Sequence, residues 1–264
     1  HRGRHRGARG TRRAGLTEAA VKQLRAIWRL LRAVVHMLHG MVVALIVFPR
    51  GSAEARDAKV QWWAAKLLRV LGIELVTEGL TPKPGAVLIV ANHISWLDIM
   101  AISAVRPVRF ISKAEVGQWP LVGWLVTLAG TLYIERASRR DAVRVVHTMA
   151  EALAKGDALA VFPEGTTSDG NGVLPFHANL LQSAISTGTA VQPVVLRYSD
   201  PSHAISPAVA YIGDTSLLQS LWMVVGASGL RVHVRVLDAH ATEHADRRAL
   251  ASYLHQQIVQ QLPL

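Results

Sequence analysis

The sequence predicts an α/β fold with a central, mostly parallel sheet flanked by helices, preceded by an N-terminal two-helix membrane-associating element. The chain has 264 residues, half of them apolar, which is enough for one substantial domain. From residue 86 onward, short apolar runs alternate with amphipathic helical segments. One longer apolar run, Ala33 to Phe48, lies ahead of them between arginines. We therefore divide the chain into a basic, disordered arm at 1–26, membrane-anchoring helices at 27–72 and an α/β domain at 73–264.

The N-terminal arm is strongly basic. Six arginines fall within its first thirteen residues, no acidic residue balances them there, and the whole chain has a formal net charge of +11. A segment so poor in apolar residues cannot bury enough surface to fold alone, which predicts a solvated tail. Beyond the arm there is no aromatic-interleaved basic pattern, so attraction to anionic lipid headgroups is favoured and no nucleic-acid partner is expected.

The apolar run at 33–48 is predicted to be a membrane anchor. Its sixteen residues include His36 and His39. They fall short of the roughly 20 residues that span hydrocarbon, so shallow insertion and a tilted crossing both stay open. The next predicted helix, Lys59 to Leu71, has an apolar stripe that suits either the headgroup region or a protein core. Because it follows an anchor, we favour the headgroup region for this stripe, which consists of Val60, Trp63, Ala64, Leu67, Leu68 and Leu71.

Strands and helices alternate through the rest of the chain. Helical apolar spacing occurs at 141–155, 176–187 and 246–262. The apolar segment 217–228 is either a buried helix or one that lines an acyl channel or faces the bilayer. Apolar runs with strand character occur at 86–92, 108–112, 131–135, 158–163, 190–196, 208–213 and 230–237.

Composition excludes several kinds of site. The chain has no cysteine, so it has no disulfide, no thiolate metal ligand and no cysteine nucleophile. It also lacks the Gly-x-Ser-x-Gly pattern of a serine hydrolase elbow.

The first polar cluster is ANHISWLDI at 91–99, which directly follows an apolar strand. Ligand sites of open α/β sheets lie at the carboxyl ends of strands. His93 and Asp98 can meet if the histidine is on the loop and the aspartate is in the first helical turn. The carboxylate would then fix the imidazole tautomer and leave the other nitrogen free to accept a proton. Alternatively, Asn92 and Ser95 cap the helix and His93 is an ordinary loop histidine.

The second polar cluster is FPEGTTSDG at 162–170, which also follows an apolar strand. Proline, glycine and two threonines predict a tight turn whose amides and hydroxyls can hold an anion or a polar headgroup. Alternatively, the segment is a simple turn with a solvent-facing Glu164.

Together the two clusters resemble the glycerolipid acyltransferase family, whose best-known member is lysophosphatidic acid acyltransferase. The resemblance is carried by NHxSxxD at 92–98 and FPEGT at 162–166. GTLYIER at 130–136 and VQPV at 191–194 are similar to two further blocks of the family, and KAE at 113–115 is similar to an element near the acceptor phosphate. The resemblance covers residues 80–200 approximately.

The resemblance implies transfer of a fatty acyl group from acyl-CoA or acyl carrier protein to the free hydroxyl of a lysolipid. The commonest case in the family converts lysophosphatidic acid to phosphatidic acid. His93 would be the general base and Asp98 would orient it. No metal or organic cofactor is expected. Backbone amides near Asn92 to Ser95, or a side-chain donor, are candidates to stabilise the oxyanion. The expected location is the inner membrane, with the catalytic domain on its cytoplasmic face.

The resemblance also implies roles for residues around the dyad. Glu164 and Gly165 would contact the polar head of the acceptor, and Lys113 and Arg136 its phosphate, beside the hydroxyls of Thr166 and Thr167. Supporting positions are Asn92, Ser95 and Pro193.

Three positions depart from the family pattern. Thr167 occupies the place of an arginine, His177 that of a common lysine and Glu135 that of the usual aspartate, which is a mild change. Threonine cannot replace a forked, permanently charged phosphate ligand. The acceptor could therefore be a lyso-ornithine lipid rather than a lysophosphatidic acid. A catalytically silent lipid-binding membrane protein is the alternative from another functional class.

Overall fold

The computed structural model describes residues 7–118, 122–128, 130–134 and 138–263. The strands are β1 (Ile73–Gly79), β2 (Val87–Ala91), β3 (Arg109–Lys113), β4 (Leu132–Ile134), β5 (Ala158–Val161), β6 (Val191–Ser199) and β7 (Leu230–Val236). The helices are α1 (Gly7–Ile46), α2 (Ala53–Leu71), α3 (Leu97–Val105), α4 (Val122–Leu128), α5 (Arg139–Ala154), α6 (Gln182–Thr187), α7 (Leu217–Gly226) and α8 (Arg247–Gln260). Short 3-10 turns occur at Ala114–Gln118, Ala178–Leu181 and Pro207–Val209.

The seven strands form one sheet in the order β1-β7-β6-β2-β5-β3-β4. Neighbouring strands are parallel except for β6 and β7, which are antiparallel. Every residue of β2 is buried, as expected for a strand covered on both faces. Ile89 and Ala91 point into a core shared with α2, α3 and α7, whereas Leu88 and Val90 point into a core shared with α5, α6 and α8. The predicted α/β fold with a mostly parallel, helix-flanked sheet is confirmed.

The N-terminal element contains two helices, but its details differ from the prediction. Helix α1 already begins at Gly7, so the described part of the predicted disordered arm is helical. The segment Thr17–Ile46 contains an 18-residue window with a mean hydropathy of 1.6 and, within the described residues, is the one helix long and apolar enough to cross a membrane. The division at residues 26 and 72 stays a prediction.

Helix α2 packs on the α/β domain. Ala64, Leu67, Leu68 and Leu71 of its apolar stripe are buried in the core. The preferred interpretation of this stripe as a headgroup-facing surface was therefore wrong, and the core alternative is right. His36 of α1 joins the two helices, because its ring stacks on Trp63 and each side chain makes a hydrogen bond to the backbone carbonyl of the other residue.

Two strand predictions were wrong. Segment 208–213 contains the end of a 3-10 turn and a loop that crosses the site, where the amide of Tyr211 donates to the carbonyl of Ile94. Strand β1 was missed because its two glutamates interrupt the apolar pattern. In the structure Glu74 and Glu78 are ion-paired with Arg231 and Arg235 of β7, the neighbouring strand.

Candidate active site

The loop between β2 and α3 brings His93 and Asp98 together. His93 lies on the loop, and Asp98 is in the first turn of α3. Nδ1 of His93 is 2.7 Å from Oδ2 of Asp98. Within the described part of the chain, Nε2 of His93 makes no hydrogen bond, and the side chain is 20% exposed. The arrangement leaves one imidazole nitrogen accessible to accept a proton from a bound molecule.

The carboxylate of Asp98 is fully buried and held by four donors. Besides the imidazole, Oδ2 accepts hydrogen bonds from the amides of Ile94 at 2.6 Å and Ser95 at 3.0 Å. Oδ1 accepts a hydrogen bond from the hydroxyl of Tyr198 at 2.7 Å. These bonds fix the carboxylate, and through it the imidazole, before any substrate arrives.

Tyr198, on β6, is a site residue that sequence reasoning missed. Burial raises the pKa of its hydroxyl well above the ordinary value, and the negative charge of Asp98 adds to the effect. The hydroxyl therefore stays protonated and remains a donor. A tyrosine in an apolar strand was a usable signal, because a buried hydroxyl needs a polar partner.

The predicted supporting residues hold the loop against its neighbours. Asn92 makes two hydrogen bonds to the backbone of Leu196 on β6, which excludes the alternative that it caps α3. The buried hydroxyl of Ser95 accepts from the amide of Leu97. Pro193 lies buried on β6, opposite Val90 of β2.

Glu164 connects the two polar clusters. Its carboxylate is 4% exposed, so it is not the solvent-facing turn residue of the alternative interpretation. Oε1 accepts from the amide of His93 at 2.7 Å, and Oε2 accepts from the amide of Leu174 at 2.8 Å. Burial raises the pKa of Glu164, while the two backbone hydrogen bonds oppose the increase. Contact between Glu164 and an acceptor stays a prediction; in this structure the carboxylate holds the loops together.

Phe162 supports the imidazole from one side. Its ring is stacked on the His93 ring at 4.1 Å between centroids, with an interplanar angle of 14°. Since Phe162 directly follows β5, the two clusters meet at the carboxyl ends of neighbouring strands.

These contacts correct one expectation about the oxyanion. The amide of His93 is bonded to Glu164, and the amides of Ile94 and Ser95 are bonded to Asp98. All three amides were candidate oxyanion donors, and all three are occupied. The other candidate, a side-chain donor, stays a prediction.

The remaining turn residues differ in their accessibility. Gly165 has φ +76°, and a Cβ there would lie 3.3 Å from Cδ2 of the exposed His177. Thr166 is exposed, whereas the half-buried Thr167 donates its hydroxyl to the carbonyl of Tyr211. The hydroxyl proton of Thr167 is therefore engaged in a hydrogen bond within the protein.

The two predicted phosphate ligands, Lys113 and Arg136, are only partly covered by the structure. Lys113 ends β3, of which the backbone is described at this position. Arg136 lies outside the described residues.

Comparison with known proteins gives concordant matches. Residues 70–197 match the family model described as Acyltransferase. A lyso-ornithine lipid O-acyltransferase of Pseudomonas aeruginosa is 39% identical over 203 residues, which are 77% of this chain and 78% of the relative. A 1-acyl-sn-glycerol-3-phosphate acyltransferase of Neisseria meningitidis is 40% identical over 210 residues, which are 79% and 82% of the two chains.

A solved structure shares the fold. The crystal structure of the 1-acyl-sn-glycerophosphate (LPA) acyltransferase from Thermotoga maritima aligns with a TM-score of 0.70 and 21% sequence identity. The alignment covers 93% of this chain and 96% of that one.

Proposed function

This chain belongs to the acyltransferase family, and we propose that it transfers a fatty acyl group from a thioester donor to the free hydroxyl of a lysolipid. The comparisons confirm the family resemblance predicted from the sequence blocks. The relatives include a lyso-ornithine lipid O-acyltransferase and a 1-acyl-sn-glycerol-3-phosphate acyltransferase. The observation that carries the proposed mechanism is the 2.7 Å contact between His93 and a buried Asp98, which leaves Nε2 free.

The proposed reaction is a direct acyl transfer. Nε2 of His93 takes the proton of the acceptor hydroxyl while the oxygen attacks the thioester carbonyl. The tetrahedral intermediate then collapses, the C–S bond breaks, and the departing thiolate receives the proton from the imidazolium. Asp98 stabilises the imidazolium between these steps. General base catalysis of this kind contributes about 10²- to 10⁴-fold, and the proposal includes neither a metal nor an organic cofactor.

The protein is membrane-associated, in keeping with its long apolar α1 and its lipid-acyltransferase relatives. We place it at the inner membrane with the catalytic domain on the cytoplasmic face, where acyl-CoA and acyl carrier protein are the candidate donors. Supplying the same labelled acyl group on each carrier to the purified protein distinguishes the two donors.

The mechanism is tested by His93→Ala. We expect the rate of acyl transfer to fall by about 10³-fold or more, because the variant loses the proposed acceptor of the hydroxyl proton. Co-sedimentation with vesicles should not change. His147→Ala is the matched control, since His147 is an exposed histidine on α5. Substantial transfer by His93→Ala would exclude the mechanism, whereas absence of transfer by the unmodified protein would support the catalytically silent alternative.

Lysophosphatidic acid and a lyso-ornithine lipid are the two candidate acceptors, and the residue at position 167 bears on the choice between them. Lysophosphatidic acid is the first candidate because several relatives carry the name 1-acyl-sn-glycerol-3-phosphate acyltransferase. A lyso-ornithine lipid is favoured by Thr167, which lacks a positive charge and donates its hydroxyl to Tyr211.

A competition assay between the two acceptors tests the role of position 167. Thr167→Arg should shift the preference toward lysophosphatidic acid by about tenfold, since a charge-assisted hydrogen bond contributes roughly 1.5–3 kcal/mol. Thr167→Val removes the hydroxyl without adding charge and serves as the control. If Thr167→Arg and Thr167→Val have the same acceptor ratio, position 167 does not select the acceptor.

A further inference from the structure

Helix α7 exposes large apolar side chains that the proposed reaction does not use. Its ten residues include no charged residue. Leu218 is 78% exposed, and Trp222 and Met223 are also exposed. Its opposite side is buried in the core through Ser220, Val224 and Val225. A helix with one face in the core and an uncharged, tryptophan-bearing outer face is typical of a membrane interface.

The C-terminal end of α7 is hydrogen-bonded to α1. Arg25 and Arg29 of α1 donate hydrogen bonds to the carbonyls at the C-terminal end of α7, including Val225 and Gly226. These arginines cap that end of α7 and thereby attach it to α1. Beside them on α1, Leu24 and Trp28 are 68% and 61% exposed. The contact therefore connects two helices that each expose large apolar side chains.

The buried side of α7 reaches the catalytic loop. The indole of Trp96 donates a hydrogen bond to the hydroxyl of Ser220 at 3.0 Å. Trp96 lies between His93 and Asp98 in the chain. Helix α7 is thus bonded to α1 at one end and to the dyad loop at its middle.

We propose that the exposed face of α7, formed by Leu218, Trp222 and Met223, inserts into the headgroup region of the membrane as a second contact beside α1. Lipid is the occupant because the exposed face lies on an uncharged helix that is hydrogen-bonded to the membrane helix α1. Arg25 and Arg29 at the junction suit anionic headgroups. The contact sets the height of the dyad loop above the lipid, because Trp96 connects this loop to α7. This inference rests on the membrane association of α1 and not on the chemistry of acyl transfer.

The absence of cysteine allows a clean labelling experiment. Leu218→Cys, Leu24→Cys and Val143→Cys are each labelled with an environment-sensitive fluorophore and mixed with vesicles of phosphatidylglycerol and phosphatidylethanolamine. Leu24 reports on α1, and Val143, which is 69% exposed on α5, is the matched control on the opposite helical layer. We expect a blue shift at positions 24 and 218 and none at 143. A shift at 24 with none at 218 would overturn the inference, as would a shift at 218 that follows protein concentration without vesicles.

An activity measurement tests the same face independently. Leu218→Asp should lower transfer to a vesicle-embedded lysolipid by about tenfold and leave transfer to a short-chain, monomeric lysolipid within about twofold. Val143→Asp should change neither rate. Equal losses on both substrates, or no loss on vesicles, would contradict the inference. If the unmodified protein transfers to neither substrate, the proposed function fails, and the fluorescence shifts alone decide the membrane contact of α7.

Discussion

The loops that follow β2 and β5 each bury a carboxylate, and the two carboxylates are held in different ways. Asp98 receives three of its four hydrogen bonds from its own loop, residues 93–95. Glu164 receives one hydrogen bond from each loop: from the amide of His93 on the first loop and from the amide of Leu174, farther along its own. The comparison teaches that the first loop organises itself around the dyad, whereas the carboxylate of the second loop braces the first.

The largest effect is expected where the dyad itself is changed. In Asp98→Asn, the side-chain amide cannot accept from every donor that Asp98 satisfies, and it no longer stabilises an imidazolium. We expect kcat to fall by about 10³-fold with KM changed little, measured as initial rates of lysolipid acylation. The exposed Asp238 provides the control Asp238→Asn. A fall of less than about tenfold would mean that the self-contained loop does not depend on its carboxylate.

A smaller effect is expected when the brace between the loops is broken. Glu164→Gln keeps the shape of the side chain but turns an NH2 group toward one of the two backbone amides. Losing one hydrogen bond to a charged group costs roughly 1.5–3 kcal/mol, so we expect kcat to fall about tenfold.

The control for the brace is Glu151→Gln, which changes an exposed glutamate on α5. Should Glu164→Gln keep the full rate with both acceptors, the brace is dispensable. Should it raise only KM for the acceptor, Glu164 contacts the acceptor, as the family resemblance implied.

A smaller loss of activity is expected when the hydrogen bond from Tyr198 to Asp98 is removed, because Tyr198 lies outside the first loop. Tyr198→Phe removes the donor to Oδ1 of Asp98 and leaves the three local donors in place. We expect kcat to fall about threefold to tenfold, in line with one buried hydrogen bond. KM for the acceptor should change little, because the hydroxyl of Tyr198 is bonded to Asp98. Tyr253→Phe, on the exposed side of α8, is the control, and an unchanged kcat in Tyr198→Phe would exclude the positioning role.

The smallest expected effect is the contribution of Glu164 to the pH dependence of the free energy of unfolding. Burial raises the pKa of Glu164, so the folded state favours its protonated form. Its stabilising contribution is present below the ordinary pKa of 4.5 and is lost as the pH rises through the raised value. The free energy of unfolding of the unmodified protein relative to Glu164→Gln should therefore decline as pH rises from about 4 to 7. Urea unfolding in detergent, followed by fluorescence, measures this difference, and a pH-independent difference would contradict the assigned cause.

Local sequence patterns were sufficient to predict most of the strands and helices. Apolar runs placed six of the strands because β2 to β7 each contain apolar residues such as valine, leucine, isoleucine or phenylalanine. The dyad was predictable because its two members lie within one loop–helix boundary, where five residues of separation determine the geometry. The run at 208–213 has the same apolar character as a strand, but in the fold it lies outside the sheet, and the amide of Tyr211 is bonded to the carbonyl of Ile94 on the dyad loop.

The sequence alone determined what depends on neighbours along the chain: most of the strands and helices, the His93–Asp98 pair and the family. The tertiary structure decided what depends on residues far apart, namely the bond from Tyr198 to Asp98, the brace from Glu164 to His93 and the side of α2 that is buried. The physical reason is that a buried polar group takes whichever partner folding brings within about 3 Å. Sequence spacing specifies such a partner only when both groups lie in the same local segment.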